Sequence, residues 1–276
     1  MKPSPKHQAA RGLAVVDIGN ARIKWARVVE GRIAAQGSAL HAGDFESGID
    51  ALAKGLPGTV ERIVAANVAG PAAADRLAAF ARERYGIDVE LVVPKAEALG
   101  VTCGYREPSR LGADRWAALI AAHALGRASG AARPVCAINA GSAYTLDAVD
   151  AGGRHLGGLI FAGPRIAADA LARNTRRIGR TAAAQGMPIG VDLLGKSTDE
   201  AVGHAAMLGP AAAFDRAVRV VADALGARPA VYVAGGDAEL LARWLETQAE
   251  VRADLVLEGL TLLAADPPPV PTSASE

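Results

Sequence analysis

Two stretches of this chain are written in the same grammar. VVDIGNARIKWARV at 15–28 and AINAGSAYTLDAV at 137–149 each read as a buried strand, a polar residue, a glycine turn and a returning strand. Such a recurrence predicts a duplicated α/β fold, each half built around one hairpin. In the first copy, Leu13, Ala14, Val15 and Val16 form an apolar run of the kind covered on both faces. Asp17 stands where the run ends. Gly19 tolerates positive φ and Asn20 tolerates the left-handed region. Ile23, Trp25 and Val28 resume an extended pattern. A carboxylate at the end of a buried strand, followed by a turn with outward N–H groups, suits a metal-bound polyphosphate. Taken alone, the segment fits an ordinary hairpin better, with Asp17 and Asn20 as turn formers, because short glycine motifs recur by chance. Two such hairpins in a duplicated fold predict a nucleotide site with one glycine turn from each half.

Between a lead-in at 1–11 and a Pro/Ser tail at 266–276, both expected to be disordered, strands and helices alternate. The first half reads as strands over 13–16, 21–29 and 32–40, with Glu30-Gly31 separating the last two. A short helix over Phe45 to Lys54, a buried strand over Arg62 to Val68, a helix from Pro71 to Tyr85 ended by Gly86, and a strand over Asp88 to Val93 follow. The second half offers strands at 135–142, 143–149 and 157–161, then helices at 164–173 and 198–225, the latter interrupted at Gly209-Pro210. A strand over Ala230 to Ala234, a Gly235-Gly236 turn into a helix from Asp237 to Glu246, a strand over Ala253 to Leu257 and a short helix to Ala264 close it.

Composition excludes several classes. A net charge of +1 over 276 residues argues against a broad footprint for nucleic acid or anionic lipid. Cys103 and Cys136 have no CxxC spacing and read as core residues of a reducing compartment. The five histidines form no pair at ligand spacing, against a zinc enzyme. MKPSPKHQAAR lacks the apolar core of a signal peptide, and no run approaches the ~20 apolar residues of a membrane span. The expectation is a cytoplasmic protein without nucleic-acid or membrane partners.

Four motifs stand in order: Asp17-Ile18-Gly19-Asn20, Gly112-Ala113-Asp114-Arg115, Asn139-Ala140-Gly141-Ser142 with Asp147, and Gly157-Gly158 with Gly163-Pro164. As an ordered set they resemble type III pantothenate kinase, of the acetate-kinase, sugar-kinase and actin superfamily. The resemblance runs from about Leu13 to Ala264. It implies an α/β chain of two similar ribonuclease H-like (actin-type ATPase) domains, at 12–125 and 126–265, with a nucleotide cleft between them. The implied activity is transfer of the ATP γ-phosphate to the 4′-hydroxyl of pantothenate, the first step of coenzyme A synthesis. Asp17, Ile18, Gly19, Asn20, Ala21, Arg22, Ile23 and Lys24 would form the first phosphate loop, with Asp17 near Mg²⁺. Gly141 and Ser142 would belong to the second. Gly112, Ala113, Asp114 and Arg115 would line the pantothenate pocket with Asp114 as general base, and Tyr105 and Thr198 match substrate contacts. The family works as a homodimer. Many members carry Asp where this chain has Asn139, and that Asp holds a monovalent cation, K⁺ or NH₄⁺. A neutral amide binds a hard cation less well. Ser142 keeps the hydroxyl of the usual Thr, whereas Ala21 and Ala143 replace polar residues common in the loops.

The residues themselves agree with this assignment. Asp114 opens an apolar-faced helix at 116–125, where the helix N-terminus favours an ionised carboxylate able to deprotonate an attacking alcohol. Arg115 beside it suits an anionic group of the substrate. Without the other motifs both would read as a solvated first turn. Tyr105 reads equally as an aromatic packed under a loop. Thr198 reads as a helix N-cap, with Asp199 and Glu200 as first-turn acids, and a cap hydroxyl is itself at an anion-friendly end. GVDLLGKS at 190–197 formally fits a P-loop, but no strand leads into it. Gly235-Gly236 lies near the adenine or simply caps a strand. Two other classes stay open: a catalytically weak relative acting as a transcriptional accessory protein, and a sugar or carboxylate kinase of the same superfamily.

Overall fold

A computed structural model of the chain describes residues 12–266 apart from 57, 129, 131, 180–185, 187 and 189. The expected tails therefore lie outside the described residues, Asp266 excepted, as does most of the stretch 182–189 upstream of Gly190.

The strands β1 (Leu13–Ile18), β2 (Arg22–Val29) and β3 (Arg32–Leu40) form an antiparallel meander. Glu30 (φ 50°) and Gly31 (φ 74°) make the two-residue turn between the last two, both central residues at positive φ as a twisted hairpin requires. Then come α1 (Phe45–Gly55), β4 (Arg62–Asn67), α2 (Pro71–Tyr85) and β5 (Val89–Leu91). Pro71 sits in the first turn of α2 and Gly86 ends it in the left-handed conformation. The sheet order is β3-β2-β1-β4-β5, with β4 parallel to β1 and β5 parallel to β4. Ile18, Trp25, Leu52, Ile63 and Leu77 are among the side chains filling its core. Each such burial is worth about 1.5–3 kcal/mol against exposure.

A short hairpin, β6 (Glu97–Ala98) and β7 (Val101–Thr102), leads to α3 (Ala113–Ala128). The second meander is β8 (Val135–Ala140), β9 (Ala143–Val149) and β10 (His155–Ala162). After it come α4 (Pro164–Asn174), α5 (Thr198–Leu225), β11 (Ala230–Ala234), α6 (Ala238–Trp244), β12 (Glu250–Val251) and α7 (Leu255–Ala265). The order β10-β9-β8-β11-β12 repeats the first sheet strand for strand: two antiparallel pairings, then two parallel ones. The duplication anticipated from the hairpins is thus a duplication of whole sheets.

Three elements differ from expectation. α5 runs unbroken through Gly209-Pro210, because Met207, Pro210, Ala211 and Phe214 are buried and their packing offsets the missing N–H. The last strand is Glu250–Val251 rather than 253–257, and Leu255 already opens a helix. A short apolar run does not by itself distinguish these states. β5 keeps only three residues of the expected 88–93.

The described residues form two compact units, one within 12–93 and 257–266 and the other within 94–256. The division expected at 125/126 assigns α3 to the first half, whereas α3 packs on β7, β8 and β9. Conversely, the end of α7 counts with the first unit, where Arg62 Nη1 donates to the Ala264 carbonyl at 2.6 Å. Each half in chain order surrenders its closing helix to the other unit, which linear reading has no means of seeing.

Candidate functional site

The first loop is a tight turn. Ile18 pairs with Ile23, and the Gly19 N–H donates to the Arg22 carbonyl at 3.0 Å. Asp17 is half-buried at the end of β1. The segment just after β3 braces the turn from behind: the His41 and Ala42 N–H groups donate to the Ala21 carbonyl at 2.9 and 3.2 Å. The buried His41 ring adds a contact of its own, Nε2 lying 2.9 Å from the Gly19 carbonyl oxygen.

The second loop is built alike and is one residue shorter. Ala140 pairs with Tyr144, and the Gly141 N–H donates to the Ala143 carbonyl at 3.1 Å. Its brace also follows the third strand of its meander: the Gly163 N–H donates to the Ser142 carbonyl at 3.0 Å. A Cβ on Gly163 would stand 2.5 Å from that oxygen and 2.7 Å from the Gly141 oxygen, so only glycine fits. Gly235 abuts the end of β8, where a Cβ would stand 2.7 Å from Asn139 Oδ1. Beside it, the buried Tyr144 hydroxyl donates to Asp237 Oδ2 at 3.0 Å, and burial together with that carboxylate raises the phenol pKa.

The Gly112–Arg115 segment forms the first turn of α3. The Gly112 carbonyl accepts the Trp116 N–H at 2.9 Å, and Asp114 Oδ1 accepts the Arg115 N–H at 2.8 Å. Burial raises the Asp114 pKa, and the Arg115 N–H and charge only partly oppose it. The helix N-terminus expected to hold this carboxylate ionised is therefore the weaker influence, and the group is a stronger base than an exposed aspartate.

Arg115 is buried and turned inward. Its Nε and Nη2 donate to Asp147 Oδ2 and Oδ1 at 2.7 and 2.6 Å, and its Nη1 donates to the Tyr105 hydroxyl at 2.9 Å. Burial alone lowers its pKa, and Asp147 more than offsets this, so the guanidinium is held above its ordinary value. The expectation that Arg115 faces a substrate anion had no means of anticipating a buried carboxylate two strands away. His155 completes the cluster. The Gly104 N–H donates to its Nδ1 at 3.3 Å, which assigns the proton to Nε2, 3.1 Å from Asp147 Oδ1. The Tyr105 and His155 rings stack at 5.9 Å. Tyr105, Arg115, Asp147 and His155 thus form one connected group, next in sequence to Asp114.

Thr198 lies at the start of α5, but the capping side chain is Ser197, whose Oγ accepts the Glu200 N–H at 3.2 Å. Glu200 reaches back to the Lys196 N–H at 2.7 Å, and Lys196 Nζ pairs with Asp192 at 2.9 Å. GVDLLGKS is a helical turn leading into the Ser197 N-cap of α5, with Asp192 on the Lys196 ammonium and Glu200 on the Lys196 N–H, the groups a P-loop would offer to phosphate. Sequence reasoning passed over His41, His155 and Asp237. The one available signal was position: His41 directly follows the β3 run, and His155 stands two residues before Gly157-Gly158. Among the described residues no group of three or more His, Cys, Asp or Glu is placed to hold a metal ion.

Comparison with known proteins bears on all of this. A solved Sinorhizobium meliloti protein described as a 2-dehydro-3-deoxygalactonokinase shares the fold at TM-score 0.56 and 16% identity, over 92% of this chain and 98% of that one. A Baf family protein from Campylobacter jejuni does so at TM-score 0.53 and 16% identity, over 92% and 98%. Among curated proteins, the type III pantothenate kinase of Halorhodospira halophila is 38% identical, over 89% of this chain and 95% of its own. That of Nitrosococcus oceani is 34% identical, over 92% and 94%. A family model described as type III pantothenate kinase matches residues 13–220, a span that contains both glycine loops and the Asp114 turn. The chain belongs to the type III pantothenate kinase family.

Proposed function

We propose that this chain transfers the γ-phosphate of ATP to the 4′-hydroxyl of pantothenate, with Asp114 as the general base. The observation that carries the residue assignment is Asp114 itself: a half-buried carboxylate of raised pKa beside the Tyr105–Arg115–Asp147 cluster. Its carboxylate takes the hydroxyl proton as that oxygen bonds to the γ-phosphorus. The bond from phosphorus to the bridging oxygen breaks, and ADP leaves with the electron pair. Gly112, Ala113 and Tyr105 shape the acceptor side, together with Thr198. Arg115 acts there chiefly by holding the Tyr105 hydroxyl. The turns at Asp17–Lys24 and Gly141–Ser142 offer backbone N–H groups to phosphate oxygens.

Asp17 fits a divalent ion of the Mg²⁺ type, since one carboxylate with phosphate oxygens and water meets its octahedral demand. When bound, that ion neutralises charge on the phosphates. A monovalent cation at Asn139 has only a neutral amide to draw it, so activity should respond little to exchange of K⁺ for Na⁺. A homodimer is supported by β10, a sheet-edge strand exposing Leu156, Leu159 and Ile160, the last 62% accessible. ATP as donor and the free thiols of Cys103 and Cys136 suit the cytoplasm. No helix among the described residues is long and apolar enough to cross a membrane. The curated relatives lend the regulatory alternative no support. The deciding experiment is ATP turnover with and without pantothenate, alongside rescue of a strain lacking pantothenate kinase. Pantothenate-dependent ADP release and rescue are expected. Release that ignores pantothenate and follows a sugar acid would replace this reading.

A further inference from the structure

Nothing in the reading above uses His41, a buried imidazole at 5% accessibility directly behind the first loop. Its surroundings are built rather than incidental. The Gly43 N–H donates to Nδ1 at 3.1 Å, so the ring proton belongs on Nε2, which is 2.9 Å from the Gly19 carbonyl. The ring lies 4.6 Å from that of Phe45, and Gly48 of α1 leaves it room: a Cβ there would be 3.2 Å from His41 Cβ. To present this geometry the chain holds Ala42 at φ 48°, a region that L side chains rarely adopt, followed by Gly43 at φ 99°. The backbone brace onto Ala21 is already supplied by two N–H groups, so the ring is not needed to close the loop. What it adds is a fixed direction for the Gly19 peptide plane. The C=O of Gly19 and the N–H of Asn20 belong to one rigid unit. Anchoring the oxygen to His41 aims the Asn20 N–H in the opposite direction, away from the His41 ring.

We propose that His41 is a positioning residue for the nucleotide: its Nε2–H holds the Gly19–Asn20 peptide in the orientation that presents the Asn20 N–H to an ATP phosphate. This rests on the first loop being the ATP loop. The test is steady-state kinetics of the full chain with ATP and pantothenate varied separately, on His41→Ala, His41→Gln and His41→Asn, with Asp17→Asn as the control for the loop itself. Gln places its amide N–H near the position of Nε2, whereas Asn reaches only as far as Nδ1. Removing the donor should raise the KM for ATP by about tenfold, as loss of one buried hydrogen bond and its preorganisation would. The KM for pantothenate should stay unchanged, and Gln but not Asn should restore the ATP value. A purely structural His41 would alter both KM values together, or would lower the melting temperature with no split between substrates. Either result overturns the proposal, as does equal behaviour of Gln and Asn. If His41→Ala does not fold, the contrast between folded Gln and Asn variants decides. If Asp17→Asn leaves ATP kinetics untouched, the reading of the loop fails instead, which separates the two failures.

Discussion

The two meanders have the same strands in the same order, and each glycine turn is braced by the residues following the third strand, yet the braces are made differently. In the first unit the brace carries a side chain: His41 adds an imidazole contact at 2.9 Å to the backbone bonds of the 41–42 segment. In the second unit the brace is bare backbone, and Gly163 comes so close to Ser142 that no Cβ fits. The charged machinery is equally one-sided. The group of Tyr105, Arg115, Asp147 and His155 belongs entirely to residues 94–256, and where β9 carries Asp147 opposite Ala137, the matching position of the first sheet is the buried Ala26 opposite Val15. A duplicated scaffold therefore keeps its turn geometry in both copies. Among the described residues the buried Arg115–Asp147 ion pair lies in one of them, where it holds the Tyr105 hydroxyl.

The sharpest way to break this asymmetry is to remove the base. Asp114→Asn should lower kcat by roughly 10²–10⁴-fold, the usual worth of a positioned general base, with the KM for ATP little changed. The same variant should be more stable than the parent at neutral pH. Burial raises the folded-state pKa of Asp114 above its unfolded value, so between the two values the folded chain binds the proton more tightly. Stability from this group is thus greatest at low pH and declines as pH rises through that window. A neutral amide removes the cost, and the rise should be seen in urea midpoints at pH 7 and should vanish at acid pH. In the parent, the acid limb of kcat should lie above the ordinary aspartate value, because that limb reports ionisation of the base.

Asp147→Asn comes next. It leaves the Arg115 guanidinium buried without its partner, which should cost about 3–5 kcal/mol in denaturant unfolding. No single change in the first loop should approach this if the charges are as one-sided as the geometry indicates. Gly163→Ala should cost about 1–3 kcal/mol through forced displacement of the second loop. Its kinetic signature should be weaker ATP binding without a change in the KM for pantothenate. Tyr144→Phe should be the smallest, about 0.5–1.5 kcal/mol for a single hydrogen bond to Asp237. A loss of turnover larger than that stability change would move Asp237 from support into the chemistry.

Much of this was legible beforehand for definite reasons. Alternating and continuous apolar runs, Pro71 and Gly86 at helix ends, and Glu30-Gly31 between strands are local signals, and the elements they predict are present. Differences arose where a distant surface, or a competing neighbour, decided the outcome. Pro210 stays helical because its face is buried, and Thr198 yields the cap to Ser197 because Glu200 answers that hydroxyl. Arg115 turns inward because Asp147 lies behind it.

By itself the sequence determined the two strand–turn–strand units, their repetition and the residue types able to meet phosphate and an alcohol, since those depend on neighbours within a few positions. Only the tertiary structure decided that α3 packs on the second sheet and the end of α7 meets Arg62, that His41 reaches the Gly19 carbonyl and His155 carries its proton on Nε2, and that burial raises the Asp114 pKa. Each of these is set by burial and by hydrogen-bond partners from distant parts of the chain, and in a linear reading such partners have no neighbourhood.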